Sequence, residues 1–133
     1  MRFKRYLSNS TMPNINFVIL YVDSPTQSAQ FYSQLLGLDP VESSPTFVLF
    51  RLETGMMFGL WSRHTVEPAA TAVGGSELAF AVANDAAVQR LHGEWSQRGI
   101  TVVQGPLHMD FGYTFTAIDP DGHRLRVFCP AAV

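Results

Sequence analysis

At 133 residues the chain is long enough for one domain with a substantial core and needs no disulfide or metal to staple it. A formal net charge of -2 without a basic stripe argues against nucleic acid as partner, and no run approaches the roughly 18 apolar residues of a membrane span. Charged residues are only 15% against 47% hydrophobic, which points to surface covered by a partner chain or wrapped around an apolar pocket. The single cysteine, Cys129, has no internal partner, which fits a reducing cytoplasm. In an apolar strand it reads as core filler rather than nucleophile.

Residues 1–13 are mildly basic and lack the apolar stretch of a secretory signal. They read as a flexible leader, or as the result of an upstream start with Met12 as the true one. The first module spans 14–66. Its β-branched and aromatic run Phe17–Val22 predicts a strand. Ser24 then suits an N-cap and Pro25 the first helical position. Apolar spacing predicts a helix over 26–36, closed by Gly37. Short strands are expected near 39–42, 46–52 and 56–61, the last joined by a turn at Glu53-Thr54-Gly55.

A linker over 67–75, rich in Ala, Gly and Thr, leads to the second module, 76–133. It repeats the order: a strand over 77–83, a cap at Asn84 or Asp85, a helix over 86–98 stopped by Gly99. Strands follow at 101–104, 113–118 and 125–129. Asp119-Pro120-Asp121-Gly122 is strong turn chemistry between the last two. The fold class is α+β, two tandem βαβββ modules whose mixed sheets curl around a cavity, and the internal repeat constrains it more than any single motif.

Strand parity assigns faces. Val18, Leu20, Val22, Phe58, Leu60, Leu78, Phe80 and Val82 are expected toward the helices. Phe17, Ile19, Tyr21, Met57, Gly59, Trp61, Glu77, Ala79, Ala81 and Ala83 take the other face. Small residues beside aromatic walls leave volume for a ligand, or for a second subunit or terminal segment packed on that face. Trp61, beside a glycine that clears space, suits stacking on a flat aromatic ligand. Phe17, Phe111, Tyr113 and Phe128 are further aromatic candidates, with Tyr21 and Phe47, and Met57 and Met109 suit an adaptable contour. His92, on a helix, and His123, in the turn, are expected to face solvent, while His64 and His108 lie near strand ends. No pair of histidines has His-x-His or His-x₃-His spacing.

Val22-Asp23 followed by Ser28-Ala29-Gln30-Phe31-Tyr32, then Leu35-Leu36-Gly37-Leu38, and finally the Asp119–Gly122 turn with its strand, resemble the vicinal oxygen chelate superfamily. That superfamily holds glyoxalase I, extradiol dioxygenases, fosfomycin-resistance enzymes and bleomycin-resistance proteins. The resemblance implies two βαβββ modules around a cavity, often completed in a homodimer. Metal-dependent members carry ligands at one inward position on the first and last strand of each module. On this chain those positions are Phe17, Gly59, Glu77 and Arg126, of which only Glu77 offers a metal donor. No metal and no other cofactor is therefore expected. Glu77 and Arg126 are expected side by side on neighbouring strands, either as a structural ion pair or presenting both groups to a ligand.

Phe58-Gly59-Leu60-Trp61-Ser62, Ser76-Glu77 and the stretch from Asp119 to Val127 look like the non-enzymatic phenazine-antibiotic resistance subgroup. The function implied is a metal-free cytoplasmic homodimer that sequesters a planar aromatic antibiotic or metabolite, phenazine- or bleomycin-like, in a groove between modules. The alternative is a metal-dependent glyoxalase-like lyase or isomerase, or a dioxygenase. A third reading is a binding module for a physiological metabolite or a regulatory partner. The ligand-binding set expected is Trp61, Gly59, Met57, Phe17, Glu77, Arg126, Phe111, Tyr113 and Phe128, with no catalytic residue assigned.

Overall fold

The computed structural model describes residues 15–131, so the leader expected over 1–13 lies outside the described residues. The chain divides between Thr71 and Ala72 into two compact units. The first holds β1 (Phe17–Val22), α1 (Pro25–Leu36), β2 (Glu42–Ser43), β3 (Phe47–Arg51) and β4 (Met57–Ser62). The second holds β5 (Glu77–Ala81), α2 (Asp85–Gln97), β6 (Val102–Met109), β7 (Gly112–Ile118) and β8 (Arg124–Pro130). Both are βαβββ units, and the α+β repeat read from the sequence is the architecture observed.

Local chemistry sets the helices. The Ser24 side chain accepts a hydrogen bond from the Gln27 amide with Pro25 at the first position, and Gly37 closes α1 in a left-handed conformation. At α2, Asn84 is the cap, accepting from the Ala87 amide at 2.8 Å, and Asp85 is the first helical residue. An acidic residue there complements the positive end of the helix dipole.

Each unit folds into one four-stranded mixed sheet, ordered β1-β4-β3-β2 and β5-β8-β7-β6. The first and last strands of each unit are parallel neighbours, because the helix carries the chain back over one face. That face holds a core in each unit. In the first unit Tyr32 of α1 meets Phe58 edge to face at 4.8 Å. In the second, Trp95 of α2 packs against Phe80 and Phe115 with centroids 5.7 and 5.3 Å away. Val22, Val48, Phe50 and Leu60 in one unit, and Val88, Leu125 and Val127 in the other, are fully enclosed. The parity assignment holds in both sheets.

Two strands differ from expectation by more than a residue or two at an end or in length. The strand expected near 39–42 is reduced to Glu42–Ser43, since Pro40 has no amide to donate. More consequentially, β6 runs on through Gly105 and Pro106 to Met109. Glycine and proline ordinarily interrupt a strand, but β6 is the sheet edge, where a missing N–H leaves no neighbour unpaired, and register shifts between Val102, Gln104 and Leu107 absorb the irregularity.

Candidate functional site

The face of each sheet turned away from its helix carries the candidate residues. In the second unit the Asp119–Gly122 turn sets the β7–β8 register, with Gly122 N–H bonded to the Asp119 carbonyl at 3.0 Å. Ile118 then pairs with Arg124, Thr116 with Arg126 and Thr114 with Phe128, all on one face. Parallel pairing of β5 with β8 places Glu77, Ala79 and Ala81 on that face too.

Here Arg126 donates from Nε to Glu77 Oε1 at 2.7 Å and from Nη1 to Thr114 Oγ1 at 3.3 Å. The Thr114 hydroxyl in turn donates to the Val127 carbonyl at 2.8 Å. The Phe111 ring stands against the guanidinium, 5.5 Å from ring centroid to Cζ, within cation–π range. Phe128 meets Phe111 edge to face at 5.9 Å. Side-chain exposure is 16% for Arg126 and 34% for Glu77, whereas Phe111 keeps 41% of its surface in solvent. The arginine is thus held from two sides by Glu77 and Thr114, beside an exposed aromatic ring. Ala79 and Ala81, also exposed, keep the neighbouring strip of sheet low.

Thr114 and Thr116 lie outside the set expected from the sequence, although hairpin register implies both once the turn is placed. The Thr116 hydroxyl, opposite Arg126 on the adjacent strand, is buried without a hydrogen-bond partner among the described residues.

Tyr113 does not join this group. Its register partner is Cys129, on the helix side of the sheet, and its hydroxyl accepts from Gln89 Nε2 of α2 at 3.1 Å. It stacks on His108 at 4.6 Å in a separate cleft of about 510 Å³ that also borders Asn84, Asp85 and Cys129. Desolvation, with the Asp85 carboxylate beside it, pushes the Cys129 thiol above its ordinary pKa. That favours the thiol over the nucleophilic thiolate.

In the first unit the corresponding face gathers Phe47, Leu49 and Met57 as a buried cluster, with Phe17, Ile19 and Trp61 packed against it. Trp61 lies edge-on to Tyr21 at 6.4 Å and to Phe47 at 6.1 Å, and is half-buried. The room expected above Gly59 is taken by Phe47: a Cβ built there would stand 2.9 Å from the Phe47 ring. Glycine at this position admits an aromatic ring of the protein itself.

Two histidine expectations are corrected. His92 packs edge-on against Phe115 at 5.3 Å instead of facing solvent. His123 is also enclosed, its side chain 15% exposed, and its Nδ1 lies 2.7 Å from Asp119 Oδ2. That hydrogen bond raises the His123 pKa above its ordinary value, against the opposing pull of burial. His64 lies at the surface, 2.7 Å from Asp23, and its hydrogen bond, with help from Arg63, holds the Asp23 carboxyl below its usual range.

Of the four positions where metal-dependent members of the resembled superfamily carry ligands, Phe17 and Gly59 offer no donor atom. Glu77 is already engaged by a permanently cationic guanidinium. Among the described residues no three His, Cys, Asp or Glu side chains converge. The residues present do not fit a divalent metal.

The model of the Glyoxalase/Bleomycin resistance protein/Dioxygenase superfamily matches residues 14–127. The chain belongs to this superfamily. It is similar to the phenazine antibiotic resistance protein EhpR of Enterobacter agglomerans, with 33% identity over 118 residues, covering 86% of this chain and 90% of that protein. A protein of Agrobacterium tumefaciens, solved in solution by NMR, is 59% identical with a TM-score of 0.85, covering 91% of this chain and all of the other. A glyoxalase-related enzyme of Fulvimarina pelagi shares the superfamily fold at 20% identity and a TM-score of 0.77, covering 89% of this chain and 88% of the other. Like these superfamily structures, this chain carries two four-stranded mixed sheets, and neither sheet is closed. Among the described residues no helix is long and apolar enough to cross a membrane.

Proposed function

We propose that this superfamily member is a metal-free binding protein that sequesters a planar aromatic compound and thereby confers resistance to it. The observation that carries the reading is the Glu77–Arg126 ion pair, 2.7 Å long, at positions where metal-dependent relatives place ligands. A site rebuilt around a guanidinium, a carboxylate and aromatic rings recognises organic groups rather than a cation. Similarity to a phenazine antibiotic resistance protein supports the same class of ligand.

Affinity comes mainly from apolar burial at about 25 cal/mol per Å² against aromatic side chains, with Phe111 and Phe128 the leading members in the second unit and Trp61 the leading one in the first. Arg126 and Glu77 orient a polar substituent on the ring. The protein acts as a cytoplasmic homodimer, and protection scales with its abundance because no bond in the compound is broken.

Tryptophan fluorescence tests the reading. The chain has two tryptophans, and Trp95 is enclosed in the helix-side core of the second unit, so ligand-dependent quenching reports chiefly on Trp61. A phenazine should quench it saturably. Trp61→Ala should weaken binding roughly 10- to 100-fold, the loss of most of one buried aromatic contact. Arg126→Ala should instead shift selectivity about tenfold toward cationic planar compounds, because it frees the Glu77 carboxylate. Unchanged fluorescence across neutral, acidic and cationic planar compounds would overturn the reading.

A further inference from the structure

A second cleft, of about 380 Å³, opens where β5 and β8 begin and is bordered by Gly74, Gly75, Ser76, Glu77, His123 and Arg124. Its chemistry differs from that of the aromatic face. Arg124 is exposed and has no acidic partner among the described residues. Glu77, which borders the same cleft, is neutralised by Arg126, and Asp119 is engaged by His123. Arg124 is therefore the cation of the cleft without an acidic partner among the described residues, while Asp121 of the same turn acts electrostatically on His123. Nδ1 of His123 is committed to Asp119, which leaves Nε2 as the ring's remaining polar position, a donor when the ring is protonated.

The approach loop supplies further donors. Gly74 and Gly75 adopt φ of 140° and 79°, and their amides have no hydrogen-bond partner among the described residues. Two such exposed amides are donors available beside the cleft. The Ser76 hydroxyl is likewise without a partner among the described residues. A cationic fork, a hydroxyl, an imidazole nitrogen and two free amides thus border one polar cleft.

We propose that this cleft is an oxyanion subsite, holding a carboxylate or phosphate group between Arg124, Ser76, His123 and the amides of Gly74 and Gly75. Arg124 lies two residues before Arg126 on the same face of β8, roughly 7 Å along the strand. The anion can therefore be free, or the acidic tail of a larger molecule lying along that face.

Titration with inorganic phosphate, followed by amide and histidine side-chain NMR shifts, tests the subsite without any aromatic ligand. Saturable shifts confined to Gly74, Gly75, Ser76, His123 and Arg124 are expected. Arg124→Gln, an exposed substitution that leaves the core untouched, should weaken phosphate at least about tenfold. Trp61→Ala should leave phosphate binding unchanged, so failure of the aromatic reading is separable from failure of this one. A planar aromatic acid and its carboxamide distinguish the two sources. An acid preference of about tenfold that disappears in Arg124→Gln supports a ligand tail, and phosphate binding with no acid preference supports a free oxyanion. Shifts reproduced by sodium chloride at equal ionic strength, or unaltered in Arg124→Gln, would overturn the subsite.

Discussion

Gly112→Ala should destabilise the second unit by about 4 kcal/mol or more, enough to unfold a marginally stable domain. Gly112 sits at φ 145° where β7 begins, opposite Pro130 of β8. An added Cβ would fall inside van der Waals contact of the Cys129 carbonyl oxygen, and the Ala131 amide nitrogen stands 3.0 Å away on the same side. Both obstacles are backbone, so no side chain can swing clear. The β7–β8 ladder must part or the residue must abandon its conformation, and either adds to the backbone strain of a non-glycine residue there. The damage reaches the aromatic face as well. The Phe111 carbonyl accepts from the Ala131 amide at 2.7 Å, a bond that holds the Phe111 turn, and hence its ring against Arg126, in place. Urea denaturation measures the loss. Gly93→Ala, in the exposed middle of α2 with nothing within 4 Å of the new Cβ, should have the opposite sign, about 0.5–1 kcal/mol more stable.

Asp119→Ala carries the second large effect, about 3 kcal/mol. The Asp119 side chain is fully enclosed, and its Oδ1 accepts the Asp121 and His123 amides at 2.9 Å each while Oδ2 meets His123 Nδ1. Alanine would leave two turn amides and the His123 Nδ1 without their acceptor. Asp119→Asn keeps an acceptor for the amides and should lose roughly half as much. The pH dependence follows from His123, whose proton is held more tightly in the folded chain than in the unfolded one. Its stabilising contribution is complete below the unfolded value of 6.5 and is lost as pH rises through the higher folded value. Wild type should therefore lose stability across that window and Asp119→Ala should not, as thermal unfolding at a series of pH values will show.

Much of the architecture was legible because local signals agreed with the tertiary fold. Ser24, Pro25 and Gly37 bracket α1 as their chemistry dictates, and Asn84 does the same for α2. Two-residue parity sufficed to put Phe58 and Phe80 on the helix side, and the parallel neighbour rule brought Glu77 beside Arg126. What escaped depended on information that one strand does not carry. The extension of β6 through Pro106 rests on its edge position, a property of the assembled sheet. His123 looked exposed because a turn normally is, yet the Asp119 carboxylate folds back inside that turn and encloses it. The filling of the Gly59 position by Phe47 depends on the β3–β4 register, in which Phe47 pairs with Trp61 and Leu49 with Gly59. Residue type alone groups Tyr113 with the ligand-facing aromatics. Strand parity with Phe115 sends it to the helix side.

Organic recognition without an inorganic centre is most directly tested by calorimetric titration of chelator-treated protein with a phenazine. Saturable binding should persist, with the same affinity after zinc, nickel, manganese or iron is restored. Binding or substrate turnover that appears only with one equivalent of such a metal per chain would contradict the account.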